Sequence, residues 1–436
     1  MLGRACGNAQ KSAPLLLLHR HEALRVAWPT TWDPESHSER PLTMAHSDSL
    51  EASVFLRMAS AGSADAGWSA SIGDLQAVDW DRLIAFALLE NAATLLDDRI
   101  SRVPELLVPA HQRDRIGRLA LIWTFKLKLL ERRLQESLEA LDGAGIEVTL
   151  LKGAALAVGT HRSFTERPMA DIDMLVDPAR AREAHDLMRE NGWILDSTGR
   201  PEDAWTNHHH LPPLADKNGS GLRLEIHVAP VPSGHPFDLD FARIRSTARH
   251  VTFGGVPVLV PENHLYAIHS AIHFAWSHRF ESGAMNAFRD LAALESTGNF
   301  SWARLIDVAR QARAETACYW TARLAQSLAG VAVPDSVLKE LAPPIAEPFL
   351  SLLEEHFSQL VLRSARACPS VALRNRLWAF ALQTESSVNQ ESPPWDVDAR
   401  GNTPPRMLMV RRLGSHIQRT RQWSLYIGTM FTALAG

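Results

Sequence analysis

Asp171-Ile-Asp-Met-Leu-Val176 alternates carboxylate and apolar side chains and then turns wholly apolar. Successive side chains of a strand point to opposite faces, so Asp171 and Asp173 are predicted to share one face while Ile172 and Met174 enter a core. Upstream, Glu147-Val-Thr-Leu-Leu151 is predicted to be a short buried strand, and Lys152-Gly153-Ala154 opens a helix. Downstream, Pro178 starts a helix that Gly192 ends, the apolar Trp193 to Leu195 follows, and Leu222 to Val228 alternates again after a Gly219-Ser-Gly221 turn. The middle of the chain therefore reads as α/β.

Outward from this centre the pattern becomes helical. Apolar residues recur at helical spacing over 49–58, 80–100 and 111–142, and again after Pro261 through Leu265, Ile268, Ile272 and Ala275. Further helices are predicted over 287–295, 302–312 and 316–328. The expected organisation is a disordered leader over 1–43, a helical module over 44–145 and a mixed α/β (α+β) core over 146–260. A helical bundle over 261–385, a linker over 386–406 and a last helix over 407–436 follow.

Composition narrows the function classes. The chain has 436 residues, 46% hydrophobic and 22% charged, enough for two or three cores rather than one. With 45 basic and 49 acidic residues the formal charge is -4, so no global basic field marks an obligate nucleic-acid binder. Cys6, Cys318 and Cys368 have neither disulfide-scaffold nor structural-zinc spacing, and point to a reducing compartment. The apolar run Leu15 to Leu18 is far short of the roughly 20 residues that span a bilayer. A soluble cytoplasmic protein without a membrane partner is expected.

The chemistry is predicted to lie on the central strands. Two carboxylates side by side repel each other, and a cation relieves the repulsion, so Asp171 and Asp173 form a ready Mg²⁺ pair. By itself an Asp-x-Asp is more often a solvated strand edge. Here, however, a strand, Lys152-Gly153 and a helix start stand just upstream, and a helix N-terminus favours phosphate. Glu225 would add a third acid with His227 on its face, although Glu225 could equally pair with Arg223 on the surface. Arg167 could reach a phosphate or pin Asp173. His208, His209 and His210, if extended, alternate sides and make no full zinc site; they read as pocket lining. His269 and His273 stand i, i+4 on a helix without the Glu of a zinc-protease motif, and read as core or pocket. Arg289-Asp290 reads as a salt-bridged helix face or a brace for the pocket.

Leu150-Leu-Lys-Gly-Ala-Ala-Leu156, Arg167-Pro-Met-Ala-Asp-Ile-Asp-Met-Leu-Val176, Gly192-Trp193, His208-His-His-Leu-Pro-Pro213 and Leu224-Glu-Ile-His-Val228 together resemble the uncharacterised nucleotidyltransferase family of the polymerase-β-like superfamily. The resemblance spans roughly residues 80–330. It implies a central mixed-sheet nucleotidyltransferase core flanked by N- and C-terminal helical modules. It further implies two Mg²⁺ or Mn²⁺ ions on the catalytic acids Asp171, Asp173 and Glu225, and a nucleoside triphosphate at Lys152, Gly153, Ala154 and Arg167. His209, His227 and His273 would line the substrate pocket. The turn departs from the family in having Ala154 where Ser or Gly would stand, and the interval from Gly153 to Asp171 is long for the superfamily. The acceptor is open: a small molecule, peptide, protein or RNA. One rival reading is a toxin-like tRNA nucleotidyltransferase that uses the basic face of Arg113, Arg115, Arg118, Lys126, Arg132 and Arg133. Another is a catalytically silent binding protein with the same fold.

Overall fold

Alternation and helical periodicity meet in one sheet whose central strands carry the acids. A computed structural model describes residues 48–57, 77–102, 108–161, 163–196, 205, 208–362 and 370–382. All of them belong to one compact unit, Met44–Gly436. The expected leader, the linker and the last helix lie outside the described residues.

Four helices come first: α1 (Asp48–Arg57), α2 (Trp80–Leu89), α3 (Ala93–Ser101) and the long α4 (Ala110–Gly143). On α4 the buried Ile116, Trp123, Leu127, Leu130, Leu134, Leu138 and Leu141 follow steps of three, four and seven, which keeps one stripe against the core. Gly145, at φ 67°, supplies the left-handed residue that ends the helix.

The sheet has strands β1 (Thr149–Leu150), β2 (Asp171–Leu175), β3 (Trp193–Leu195), β4 (Leu214–Asp216), β5 (Arg223–His227), β6 (Arg249–Phe253) and β7 (Val256–Val260). Their order is β3-β4-β5-β2-β1-β7-β6. β2 runs parallel to β5 and β1 parallel to β7, while the other neighbours are antiparallel, so the sheet is mixed as expected. β6 and β7 form a hairpin through Gly254-Gly255, at φ 58° and 89°, two left-handed positions that a tight hairpin turn requires. β1 is shorter than its five-residue prediction, and at its C-terminal end it stops because Leu151 already caps helix α5 (Lys152–Gly159). Helices α6 (Ala181–Glu190) and α7 (Phe241–Thr247) complete the centre.

The C-terminal helices are α8 (Asn263–Ile272), α9 (Ala284–Ser296), α10 (Trp302–Gln311), α11 (Glu315–Leu324), α12 (Asp335–Leu341), α13 (Glu347–Val361) and α14 (Val371–Ala381). Length alone suggests separate cores, but the packing joins them. Buried apolar side chains from Ala52 on α1 through Ile172 on β2 to Leu382 after α14 make one continuous cluster. Helices whose apolar stripes face the sheet cannot bury them alone, so helices and sheet share a core. No helix among the described residues is long and apolar enough to cross a membrane.

Candidate functional site

The register of β2 against β5 assembles the site. Asp171 pairs with Arg223, Asp173 with Glu225 and Leu175 with His227, so Asp171, Asp173, Glu225 and His227 share one face. Ile172, Met174, Leu224 and Ile226 are fully buried on the other. Neighbouring strands lie about 4.8 Å apart, which brings Glu225 beside Asp173 although 52 positions separate them in sequence.

Cations hold these acids. Lys152 Nζ donates to Asp173 Oδ1 at 2.8 Å and stands 4.0 Å from Glu225 Oε2. His227 Nε2 lies 2.9 Å from the same Asp173 oxygen and 3.4 Å from Glu225 Oε2. Burial raises the cost of charge on Asp173, but Lys152 and the His227 hydrogen bond outweigh it and hold its pKa at about 2. Burial is outweighed at Glu225 as well, by His227, Lys152 and His210, so its carboxyl is held below the usual range. His227 is raised despite burial because it bonds both acids. Lys152 is likewise raised, by the acids around it. Asp171 is different. Burial and the neighbouring Asp173 push it up to about 6, which leaves one acid of the three incompletely neutralised.

Lys152 enters α5 at φ 45°, a left-handed value uncommon for a residue with a side chain. The first helical bond of the turn runs from Ala155 N–H to Leu151 O at 3.2 Å, so the N–H groups of Lys152, Gly153 and Ala154 precede it at the helix start. A Cβ on Gly153 would lie 3.1 Å from both Cβ and Sδ of Met169, so glycine is needed for packing as much as for any ligand. The Ala154 side chain is buried in the core, so only its backbone can take part in nucleotide binding.

Arg167 is placed otherwise than as a phosphate arm or a pin for Asp173. Its Nε and Nη2 donate to Asp290 Oδ1 and Oδ2 at 2.6 and 3.0 Å, and Nη1 donates to Pro168 O at 2.8 Å. Tyr266 Oη donates to Asp290 Oδ2 at 2.8 Å. This bidentate pair, with both partners buried, stands at the wall of the site's cavity. The signal that could have found it is Arg289-Asp290, whose Asp is 2% exposed rather than on a solvated helix face.

A cavity of about 200 Å³ opens beside Asp171, lined by Lys152, Gly153, Arg167, Asp171, His269 and His273, while Asp173 and Glu225 are not among its lining residues. His273 therefore joins the pocket, as does His269. His227, fully buried behind Asp173, is not among the residues lining it, and neither is His209. Helix α8 continues as a π turn, His273–Ser277, and the chain then passes through Arg279 and Phe280 at φ 49° and 66°. That irregular turn brings His278 into the same cavity, with its ring 4.3 Å from that of His273. Burial lowers His269 and His278 to about 4, with Lys152 adding to the effect, so both are neutral bases at neutral pH.

The three adjacent histidines do not alternate. His208 and His209 form a bend and His210 a single bridge to His227, so the rule for an extended strand does not apply and their rings converge. The basic face of α4 is largely committed elsewhere: Arg115 pairs with Asp81, Arg132 and Arg133 with Glu136 at 2.7 and 2.6 Å, and Arg133 stacks on Trp193.

The donor set fits divalent cations. Asp173, Glu225 and His227 each offer a ligand atom within 4.8 Å of the others, a lysine ammonium stands between the two carboxylates, and Asp171 on the same face is left undercompensated, a donor set that a divalent cation would suit. The chain belongs to the uncharacterised nucleotidyltransferase family, whose model matches residues 76–330, more than half of its length. A nucleotide is accordingly its substrate class. No curated protein matches the chain. Among solved structures it is similar to the antibiotic-resistance factor ANT(2'')-Ia at 13% identity, over 42% of this chain and 90% of that one, with a TM-score of 0.31. A likeness that low carries no argument about the site.

Proposed function

We propose that this chain moves a nucleoside monophosphate from a nucleoside triphosphate to an acceptor in a divalent-metal-dependent reaction. The observation that carries this reading is the in-register pairing of Asp173 with Glu225, which places three acids on one face beside the start of α5. The acceptor's oxygen or nitrogen attacks the α-phosphorus, the bond to the bridging oxygen breaks, and pyrophosphate leaves with that electron pair while the acceptor's proton passes to solvent. Asp171, Asp173 and Glu225 would hold two Mg²⁺ or Mn²⁺ ions, which supply Lewis-acid polarisation of the phosphate oxygens when bound.

The chain's own groups do the rest. Glu225 is held strongly ionised, which suits cation binding rather than taking up the acceptor's proton. The N–H groups of Lys152, Gly153 and Ala154 at the helix start favour the triphosphate charge, and Lys152 supplies a fixed cation there. His227 bonds Asp173 and holds its carboxylate in place. Arg167 acts at one remove, by fixing the loop that leads into β2.

Incubation of the protein and Mg²⁺ with each labelled triphosphate and cell extract tests the reading. Label transfer with pyrophosphate release is expected, and it should disappear in Asp173→Asn. Label entering only tRNA would select the toxin-like alternative. Calorimetric binding of Mg-triphosphate without any transfer would select the silent binding protein. Absence of Mg²⁺-dependent triphosphate binding would sink all three.

A further inference from the structure

Beside the acids, and not needed for nucleotidyl transfer, the bend at His208-His209-His210 gathers three imidazoles. One ligand nitrogen from each lies within 4.8 Å of the others. Ring centroids are 4.1 Å apart for His208 and His210, 4.4 Å for His208 and His209, and 4.8 Å for His209 and His210. We propose that this triplet is a binding site for one transition-metal ion that prefers nitrogen, Zn²⁺ foremost, distinct from the oxygen-lined site of Asp171, Asp173 and Glu225.

Three features support a built site rather than a chance cluster. The backbone is fixed to β5: Leu211 N–H donates to Ile226 O at 2.9 Å, and Val228 and Ala229 N–H both donate to His209 O, at 2.8 and 3.2 Å. Such anchoring sets ligand positions before any ion arrives. Next, His210 Nδ1 lies 2.7 Å from Leu211 O, a bond it can make only as the donor. That tautomer leaves the Nε2 lone pair free, the outer-shell arrangement that orients metal-bound histidines. Finally, His209 Nδ1 is buried and has no hydrogen-bond partner, which is costly for a polar atom unless something else satisfies it.

The chemistry of the donors selects the ion. Imidazole nitrogen suits Zn²⁺, Cu²⁺ or Ni²⁺, whereas Mg²⁺ prefers carboxylate oxygen. Two nitrogens on one tetrahedral Zn²⁺ stand about 3.4 Å apart, so side-chain rotation of about an ångström closes the cluster. Trp205 packs on His208 and His210 at 4.9 and 5.0 Å, walling one side with an apolar surface. Three protein ligands leave a position for water, as in open zinc sites. Glu225 Oε2 is 3.7 Å from His210 Nε2, so the two sites adjoin.

Untagged full-length protein, dialysed against chelator and held in excess Mg²⁺, is titrated with Zn²⁺ against a chromophoric competitor, and with Co²⁺ to follow visible d–d absorption. One ion per chain and an intense tetrahedral Co²⁺ spectrum are expected. His208→Gln and His209→Gln, both at half-buried positions, should each weaken Zn²⁺ binding at least tenfold, and His210→Gln should do the same. Thermal melts of each variant check that it folds; if His210→Gln does not, the first two decide. The proposal is overturned if wild type binds no Zn²⁺ in excess Mg²⁺. It is equally overturned if binding survives in His208→Gln and His209→Gln, or is abolished by Glu225→Gln while the histidine variants keep it. The readout is metal binding, so a failure of nucleotidyl transfer leaves it intact.

Discussion

Two charge clusters adjoin one cavity and differ in their charge balance: one is balanced and the other is not. Arg167, Asp290 and Tyr266 form a closed group with one positive and one negative charge and every carboxylate oxygen bonded. Asp171, Asp173 and Glu225 face Lys152 and His227, and Asp171 is left with its pKa at about 6. Closed pairs belong to scaffolds, because breaking them strands a charge in low dielectric. Open clusters belong to sites, because only a ligand or a metal completes them. Burial alone does not separate the two; charge balance does.

The largest effect of any one group should follow from opening the balanced cluster. Asp290→Asn leaves Arg167 buried without its counter-charge, and the melt should shift by ~3 to 5 kcal/mol of stability. Retention of wild-type stability would show that Arg167 finds another partner and that the cluster is not scaffold.

Acid should act next, through the neutral histidines. His269, His278 and His356 are held at about 4 by burial against an ordinary 6.5, so the unfolded chain takes up protons first as pH falls. Stability is therefore full above pH 6.5 and drops through pH 4, by at most ~3 kcal/mol per histidine. Denaturant melts of chelator-treated protein between pH 8 and pH 4 measure it, and a flat profile would contradict the assigned burial.

The open cluster should divide within itself. Asp171 is destabilised as an anion, so Asp171→Asn should gain ~1 to 3 kcal/mol at pH 8, the gain shrinking as pH falls through 6 and wild-type Asp171 protonates. Asp173→Asn removes the negative charge that Lys152 and His227 both pair with and should lose ~1 to 3 kcal/mol. Both should abolish transfer. Equal and opposite stabilities with one common loss of activity would mark the pair as site; equal losses would mark it as scaffold.

The smallest effect belongs to Gly153→Ala. The added methyl meets the Met169 side chain at 3.1 Å, and Met169 can yield only in part because its Cβ is one of the atoms met. A loss of ~1 kcal/mol is expected, with triphosphate affinity reduced more than stability, as ligand titration and melts together would show.

Local pattern determined much of this. Alternation over Asp171 to Val176 and Leu222 to Val228 revealed both acid strands and which side chains share a face, and helical spacing revealed the stripe on α4. The turn at Lys152-Gly153 and the mixed α/β centre were legible for the same reason, since periods of two and 3.6 and the choice of turn residues are written in neighbouring positions. The hairpin of β6 and β7 and the short β4 were not expected, because exposed Arg249, His250 and Pro257 blur the alternation. What only the tertiary structure decided joins residues far apart: Glu225 beside Asp173 through parallel register, Asp290 beneath Arg167, the π turn that brings His278 forward, and the bend that gathers three histidines instead of alternating them. Such pairings depend on strand order, helix docking and backbone bonds to β5, and chain neighbours carry no record of these.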